Sequence, residues 1–131
     1  MKKNLKIIGF WILIICFHST AIAADLDQED PPRFIMFLGR FHPVMLHLPI
    51  GAFLITFFLD IMGRIRKDYP RTAIVYGLGF SAFFAVFSCI LGYFLSLEEG
   101  YEGEVVTRHL WLGIATATLI LSLFLSEMFS N

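Results

Sequence analysis

Residues 43–62 read PVMLHLPIGAFLITFFLDIM, an uninterrupted apolar run that contains a single formally charged side chain, Asp60. A helix needs about 20 predominantly apolar residues to cross a hydrocarbon core about 30 Å thick. Segments 72–97 and 107–125 meet the same requirement. Backbone amides in lipid must be satisfied internally, and the alternation typical of barrel strands is absent. We therefore expect an all-α integral membrane bundle of three transmembrane helices.

The composition of the chain supports a membrane protein. It has 131 residues, of which 57% are hydrophobic and 16% charged, and its mean hydropathy is +0.74. Soluble domains are about 45–50% apolar and about 25% charged. The net charge of −1 leaves no basic footprint for nucleic acid. Neither a nucleophile–base pair nor paired carboxylates stand out, so an enzyme is the least supported class.

The N-terminus has the pattern of a secretory signal. Three lysines precede the apolar residues 7–17, and Ala21-Ile22-Ala23 supplies the small residues of a cleavage site. We expect a cleavable signal peptide over 1–23, an acidic linker over 24–35 and the membrane domain over 36–131. An uncleaved signal anchor is the alternative, and it leaves the topology of the three spans unchanged.

The loop charges predict an orientation. Residues 63–71 carry four basic side chains and one acidic one, whereas residues 97–106 carry four glutamates and no base. Cytoplasmic loops are enriched in Lys and Arg. We therefore expect a bacterial inner membrane protein whose acidic loop faces the periplasm.

Three histidines fall near the predicted outer ends of the spans, and we expect them to share one depth: His42, His47 and His109. Ionisable residues within a span are costly and indicate a functional site by default. His47 is followed four residues later by Gly51, and His109 by Gly113. Residues four apart share a helix face, so each histidine would have an open backbone patch beside it.

This spacing suits a flat macrocycle, and histidine is a common haem ligand. We expect b-type haem between His47 and His109, with Arg40 and Arg108 near its propionates because guanidinium groups bind carboxylates well. In the competing interpretation, the glycines serve helix packing and the arginines reach lipid headgroups. In a third interpretation, His42 and His47 bind copper or zinc, with Met45 nearby.

Two further patterns concern packing. Small residues recur along one face of the second span, and they are Gly77, Ser81, Ala85, Ser88 and Gly92. Such stripes let helices approach closely in lipid, so this face should be the seam of the bundle or of a dimer. Asp60 is four residues before Arg64, a spacing that favours a salt bridge.

The segments LGRFHPVMLHLPIGAFLITFFLD (38–60) and SLEEGYEGEVVTRHLWLGIATAT (96–118) together resemble a family of small bacterial membrane domains of unknown function. Members carry F-H-P-x-x-x-H-x-P-I-G at the first helix and an H-x-W-x-G-like segment after an acidic loop. Such domains are often associated with planctomycete-type cytochrome c domains. The resemblance implies that His42, His47 and His109 are the characteristic residues of the family. It also implies that the protein works beside redox proteins.

These observations predict a non-enzymatic membrane module in a redox chain. It would bind b-type haem or anchor a cytochrome c partner. Three helices scarcely enclose a haem, so we expect a homodimer or hetero-oligomer in the lipid bilayer. The alternatives are a purely structural membrane anchor without a cofactor and a metal-binding or transport accessory.

Overall fold

The computed structural model describes residues 32–130, and its helices account for 84% of the described part. The helices are α1 (Arg33–Gly39), α2 (His42–Met45), α3 (His47–Arg66), α4 (Arg71–Ser96) and α5 (Glu104–Phe129). No strand occurs within residues 32–130, and three helical segments are long and apolar enough to cross a membrane. The all-α membrane fold is confirmed. The predicted signal peptide, and the linker up to residue 31, lie outside the described residues.

The first span is built from three consecutive helices, α1 to α3. The continuous apolar run predicted a helix over 43–62, but helical structure extends from Arg33 to Arg66 and overlaps the last residues of the predicted linker. Pro43 is the second residue of the short α2, and Pro49 lies in the first turn of α3. Proline has no N–H, so the carbonyls of Gly39 and Met45 lose their usual donor four residues along. The breaks in this span follow from that loss.

Helix α4 lies at the centre of the bundle, and α3 and α5 both pack along it. In a span-length window of α4, 39% of the residues are buried, against 11% in each of the other two spans. A small core of Ala82, Ala85, Ala117 and Ile120 joins α4 to α5. The central position explains why the small-residue stripe is on this helix.

The stripe on α4 forms its seam with the first span. A Cβ at Gly77 would overlap the Thr56 hydroxyl, so α3 approaches the α4 backbone closely there. The Ser81 hydroxyl donates to the Pro49 carbonyl at 2.8 Å. Toward the C-terminal end of α4, the stripe meets His42 instead. The predicted bundle seam is confirmed, and small size and hydrogen bonding hold it together.

The loop between α3 and α4 is short and basic. Helix α3 ends at Arg66, and the next residue, Lys67, has a left-handed backbone with φ 56°. The predicted salt bridge is present, since the Arg64 guanidinium donates to both Asp60 oxygens at 2.9 Å. Arg71 donates to the Glu127 carbonyl at 2.9 Å, which joins this loop to the end of α5.

The loop between α4 and α5 is acidic and covers residues 97–103. Gly100 and Gly103 both adopt positive φ, of 90° and 101°, so L side chains would be strained there. Glu98 in this loop forms an ion pair with Arg40, at the break between α1 and α2. The pair connects the first span to this end of the bundle.

Candidate functional site

His42 faces α4 and is held there by the backbone. Its Nδ1–H donates to the carbonyl oxygen of Ser88 at 2.8 Å, and the Ser88 hydroxyl lies 3.2 Å away. The ring packs directly on Gly92, where an added Cβ would lie 2.8 Å from the ring's Cε1. In a neutral imidazole with Nδ1 protonated, Nε2 keeps its lone pair. Nε2 is therefore the atom of His42 that can bind a ligand.

His109 approaches the same place from α5. The two ring centroids are 6.1 Å apart and the ring planes are inclined at 84°. His109 lies in the second turn of α5 and is exposed, whereas His42 is half-buried. The fold thus brings together two imidazoles that are far apart in the sequence.

The histidine pair lines a cavity of about 310 Å³ between the C-terminal end of α4 and the N-terminal part of α5. The wall is mainly apolar, and it includes Leu95, Val105, Leu110 and the backbones of Gly92 and Gly113. Gly113, which the sequence predicts beside His109, is one of the residues that line this cavity. A Cβ there would still lie 3.8 Å from the Cys89 sulfur, so the glycine widens the cavity slightly.

His47 lies on a different face of the first span. Pro49, Thr56 and Gly63 are the buried residues of α3; the first two face α4, and Gly63 faces the loop that leads into it. His47 precedes Pro49 by two residues, which is about 200° around a helix of 3.6 residues per turn. It is exposed, and its Nδ1–H donates to the Pro43 carbonyl at 2.8 Å. Within one chain, the partner of His109 is therefore His42 and not His47.

The expectation of one common depth holds for two of the three histidines. Thr56 lies opposite Gly77 and His42 opposite Ser88, so the antiparallel register places His47 between these levels. His47 is then roughly twelve residues, or about 18 Å, from the C-terminal end of α4 at 1.5 Å per residue. His42, at the level of Ser88, is about 12 Å from that end. Gly51 shares the outward face with His47, and a Cβ there would meet nothing within 4 Å.

Both arginines predicted near the site already contact carboxylates. Arg40 pairs with Glu98, with its Nε–H donating to Oε2 at 3.4 Å, and these hydrogen bonds lower the pKa of the Glu98 carboxyl. Arg108 pairs with Glu104 one turn earlier at 2.6 Å, where both side chains are largely exposed. Neither pair is among the residues that line the cavity.

Sequence reasoning missed three residues that line the cavity. Gly92 is predicted from the sequence to serve helix packing, and Cys89 on α4 and Tyr101 in the acidic loop have no part in the predicted site, yet all three line the cavity. The sequence nevertheless contains a signal that His42 lies on the packed face of the first span, because a seven-residue period relates it to the buried Pro49, Thr56 and Gly63. That period marks one helix face.

The interpretation as a copper or zinc site has few donor side chains to draw on within one chain. Among residues 32–130, no three side chains of His, Cys, Asp or Glu come together as a metal-binding group. His42 and His47 face different directions, so within one chain they do not converge on one ion. Histidine commonly holds haem iron, and His42 and His109 are the residues of this site that would hold it.

Fold and site together define a small polytopic helical membrane protein with an imidazole pair at one end of its bundle. In comparisons of the chain, no protein-family model, no curated protein and no solved structure matches it.

Proposed function

We propose that this protein is a redox-associated membrane module that binds b-type haem through His42 and His109. The observation that carries the proposal is the convergence of these two imidazoles on an apolar cavity. The Ser88 carbonyl fixes the His42 tautomer, and such backbone bonds commonly orient metal-binding histidines. Haem bound there would supply one-electron transfer, and the chain itself would supply ligands and a low-dielectric wall.

The spacing of the rings is compatible with a shared metal atom. Metal–imidazole bonds are about 2 Å long, so two nitrogens on opposite sides of one metal lie about 4 Å apart. The centroids of the His42 and His109 rings are 6.1 Å apart, so both imidazoles would be within reach of one metal atom held between them.

The size of the cavity implies a further component. Its 310 Å³ is at the lower end of the range of about 300–1,000 Å³ for small-molecule sites. One chain therefore covers only part of a haem, and a second subunit or lipid covers the rest. This agrees with the expected homodimer or hetero-oligomer.

The test is a reduced-minus-oxidised visible spectrum of the protein purified in mild detergent. We expect a Soret shift and an α-band, both lost in His109→Ala and His42→Ala. His109 is exposed, so its replacement leaves the packing intact and is the cleaner of the two variants. His47→Ala is the matched control and should keep the spectrum. A well-folded wild-type protein without colour would contradict haem binding and leave the structural anchor.

A cytochrome c partner is the second candidate function. The resemblance favours it, and Glu99 and Glu102 are exposed in the loop beside the cavity. Carboxylates there would attract a basic cytochrome, and the attraction would weaken with salt. Salt-dependent retention of a basic c-type cytochrome, reduced in a Glu99→Gln/Glu102→Gln variant, would support this function. Equal retention by that variant would contradict it.

We propose that the protein lies in a bacterial inner membrane with the histidine pair on the periplasmic side. The basic loop at the opposite end supports this orientation, since Arg66 and Lys67 are both exposed. A reporter fused to the C-terminus should be active in the cytoplasm only. A periplasmic signal would reverse the orientation.

A further inference from the structure

The acidic loop over residues 97–103 borders the histidine cavity at one end. It joins the C-terminal end of α4 to the N-terminal end of α5, and the cavity lies between those two helix ends. Tyr101 is the residue of this loop that lines the cavity. It is 44% exposed, so one side of the residue faces the cavity and the other faces the surroundings. Tyr101 therefore forms part of the wall between the cavity and the exterior.

The position of Tyr101 is coupled to that of Glu98. The Tyr101 N–H donates to the Glu98 carbonyl at 3.2 Å, which closes a four-residue turn. Gly100 and Gly103 adopt positive φ on either side of Tyr101, so the chain can turn sharply at both positions. Because Glu98 and Tyr101 belong to one turn, a displacement of Glu98 would also displace Tyr101.

Glu98 is held by the first span. Its carboxylate pairs with the guanidinium of Arg40, which lies two residues before His42. The pair is outside the cavity, and the Arg40 side chain is largely exposed. Exposed ion pairs of this kind are weak and break readily. The link between the first span and the loop can therefore open while the helices stay packed.

We propose that Tyr101 controls access to the histidine cavity and that the Arg40–Glu98 ion pair is the latch that keeps it closed. While the pair is formed, the loop holds Tyr101 against the cavity. When the pair breaks, the loop is released from the first span and the cavity opens to the exterior. A molecule that reaches His42 and His109 from this side passes Tyr101. The proposal concerns entry to the cavity and does not depend on haem as its occupant.

Cys89 provides a native reporter of access, because it lines the same cavity. Cys16→Ala leaves it as the only cysteine of the chain. The probe is a cationic, membrane-impermeant methanethiosulfonate, whose charge keeps it out of the hydrocarbon core. Its rate of reaction with Cys89, in protein reconstituted in lipid nanodiscs, measures how often the cavity is open to water.

Breaking the latch should raise this rate by about two- to fivefold, the range expected for the loss of an exposed ion pair. Glu98→Gln and Arg40→Gln change the local charge in opposite directions, so a change in attraction of the probe would differ in sign between them. Opening of the cavity raises the rate in both. Glu99→Gln is the matched control, since it removes the same charge from the same loop, and it should not raise the rate. Wild-type rates in both latch variants overturn the latch.

The part played by Tyr101 is tested in combination with the latch. Tyr101→Ala should raise the rate further than either latch variant, because it removes the side chain that forms the wall. Adding Glu98→Gln to Tyr101→Ala should then have no additional effect, since the pair acts through Tyr101. An unchanged rate in Tyr101→Ala, or a full further increase in the double variant, overturns the proposal.

A cysteine outside the cavity distinguishes opening from general loosening of the bundle. Ala117 is 6% exposed and lies in the core between α4 and α5. With Cys16 and Cys89 both replaced by alanine, Ala117→Cys should stay unreactive with and without Glu98→Gln. A parallel increase at residue 117 overturns the latch. The reporter needs no haem, so a missing haem spectrum and a failed latch are separate outcomes.

Discussion

The two faces of α3 differ in what they present to their surroundings. The inward face presents Pro49, Thr56 and Gly63, all buried, to α4 and the adjoining loop. The outward face presents large apolar side chains such as Leu54 and Phe58. In a soluble protein the larger apolar face would be the packed one. In lipid, apolar side chains have no preference for each other over acyl chains, so close approach and hydrogen bonds select the interface.

The largest effect should come from enlarging the packed face. In Gly77→Leu, even the Cβ overlaps the Thr56 hydroxyl, which already donates to the Ala52 carbonyl at 2.7 Å. Overpacking of this kind costs about 1–3 kcal/mol. The free energy of unfolding, measured by circular dichroism during denaturant titration of the detergent-solubilised monomer, should fall by that amount.

Gly51→Leu is the matched substitution on the outward face. Its side chain meets open space, so monomer stability should stay within about 0.5 kcal/mol of the wild type. Equal destabilisation by the two variants would contradict the distinction between the faces.

A smaller effect should follow from removing the hydrogen bonds of the seam. Ser81→Ala removes a buried donor to the Pro49 carbonyl, and such bonds in membrane proteins contribute about 0.6 kcal/mol on average and up to about 1.7. Ser88→Ala should cost less, because His42 donates to the Ser88 main-chain carbonyl, which the substitution keeps. The same titration ranks the two variants, and a larger loss for Ser88→Ala would show that its hydroxyl is the essential partner.

The smallest effect should come from the ion pair between Arg40 and Glu98. The Arg40 side chain is 65% exposed, so the pair contributes little. Its pH dependence has a definite sign. The pKa of Glu98 is lowered in the folded state, so the stabilisation is present above the ordinary carboxyl value and is lost as the pH falls through the lowered one.

The melting temperature of the wild type, followed against pH, should therefore show a small acid-side decrease that Glu98→Gln lacks. Glu99→Gln is the control, since Glu99 is exposed in the same loop and should leave the decrease in place. Identical pH profiles for the wild type and Glu98→Gln would contradict this assignment.

Hydropathy was sufficient to predict the number of spans and most of their limits. The second span was expected over 72–97 and is Arg71–Ser96, and the third was expected over 107–125 and is Glu104–Phe129. Helices continue into polar residues at their ends, which an apolar run does not include. For the same reason the helical part of the first span begins ten residues earlier than its apolar run, at Arg33.

The arrangement of the histidines required information about two helices at once. The sequence placed His47 and His109 together because each is followed by a glycine four residues later. Which face of α3 turns toward α4 depends on contacts such as Ser81 with Pro49, and no pattern within one helix contains them. The small stripe on α4 was predictable by itself, whereas the position of His42 against its Ser88–Gly92 end was not.

The two prolines of the first span divide it into parts whose helical hydrogen bonds should differ in stability. Pro43 and Pro49 have no N–H to donate to the carbonyls of Gly39 and Met45, so the hydrogen-bond ladder is interrupted on both sides of α2. Local opening of the outer part can therefore occur without unwinding α3, and its amides should exchange with deuterium earlier than those of α3. Since His42 lies in that outer part, whatever occupies its Nε2 would also slow this exchange.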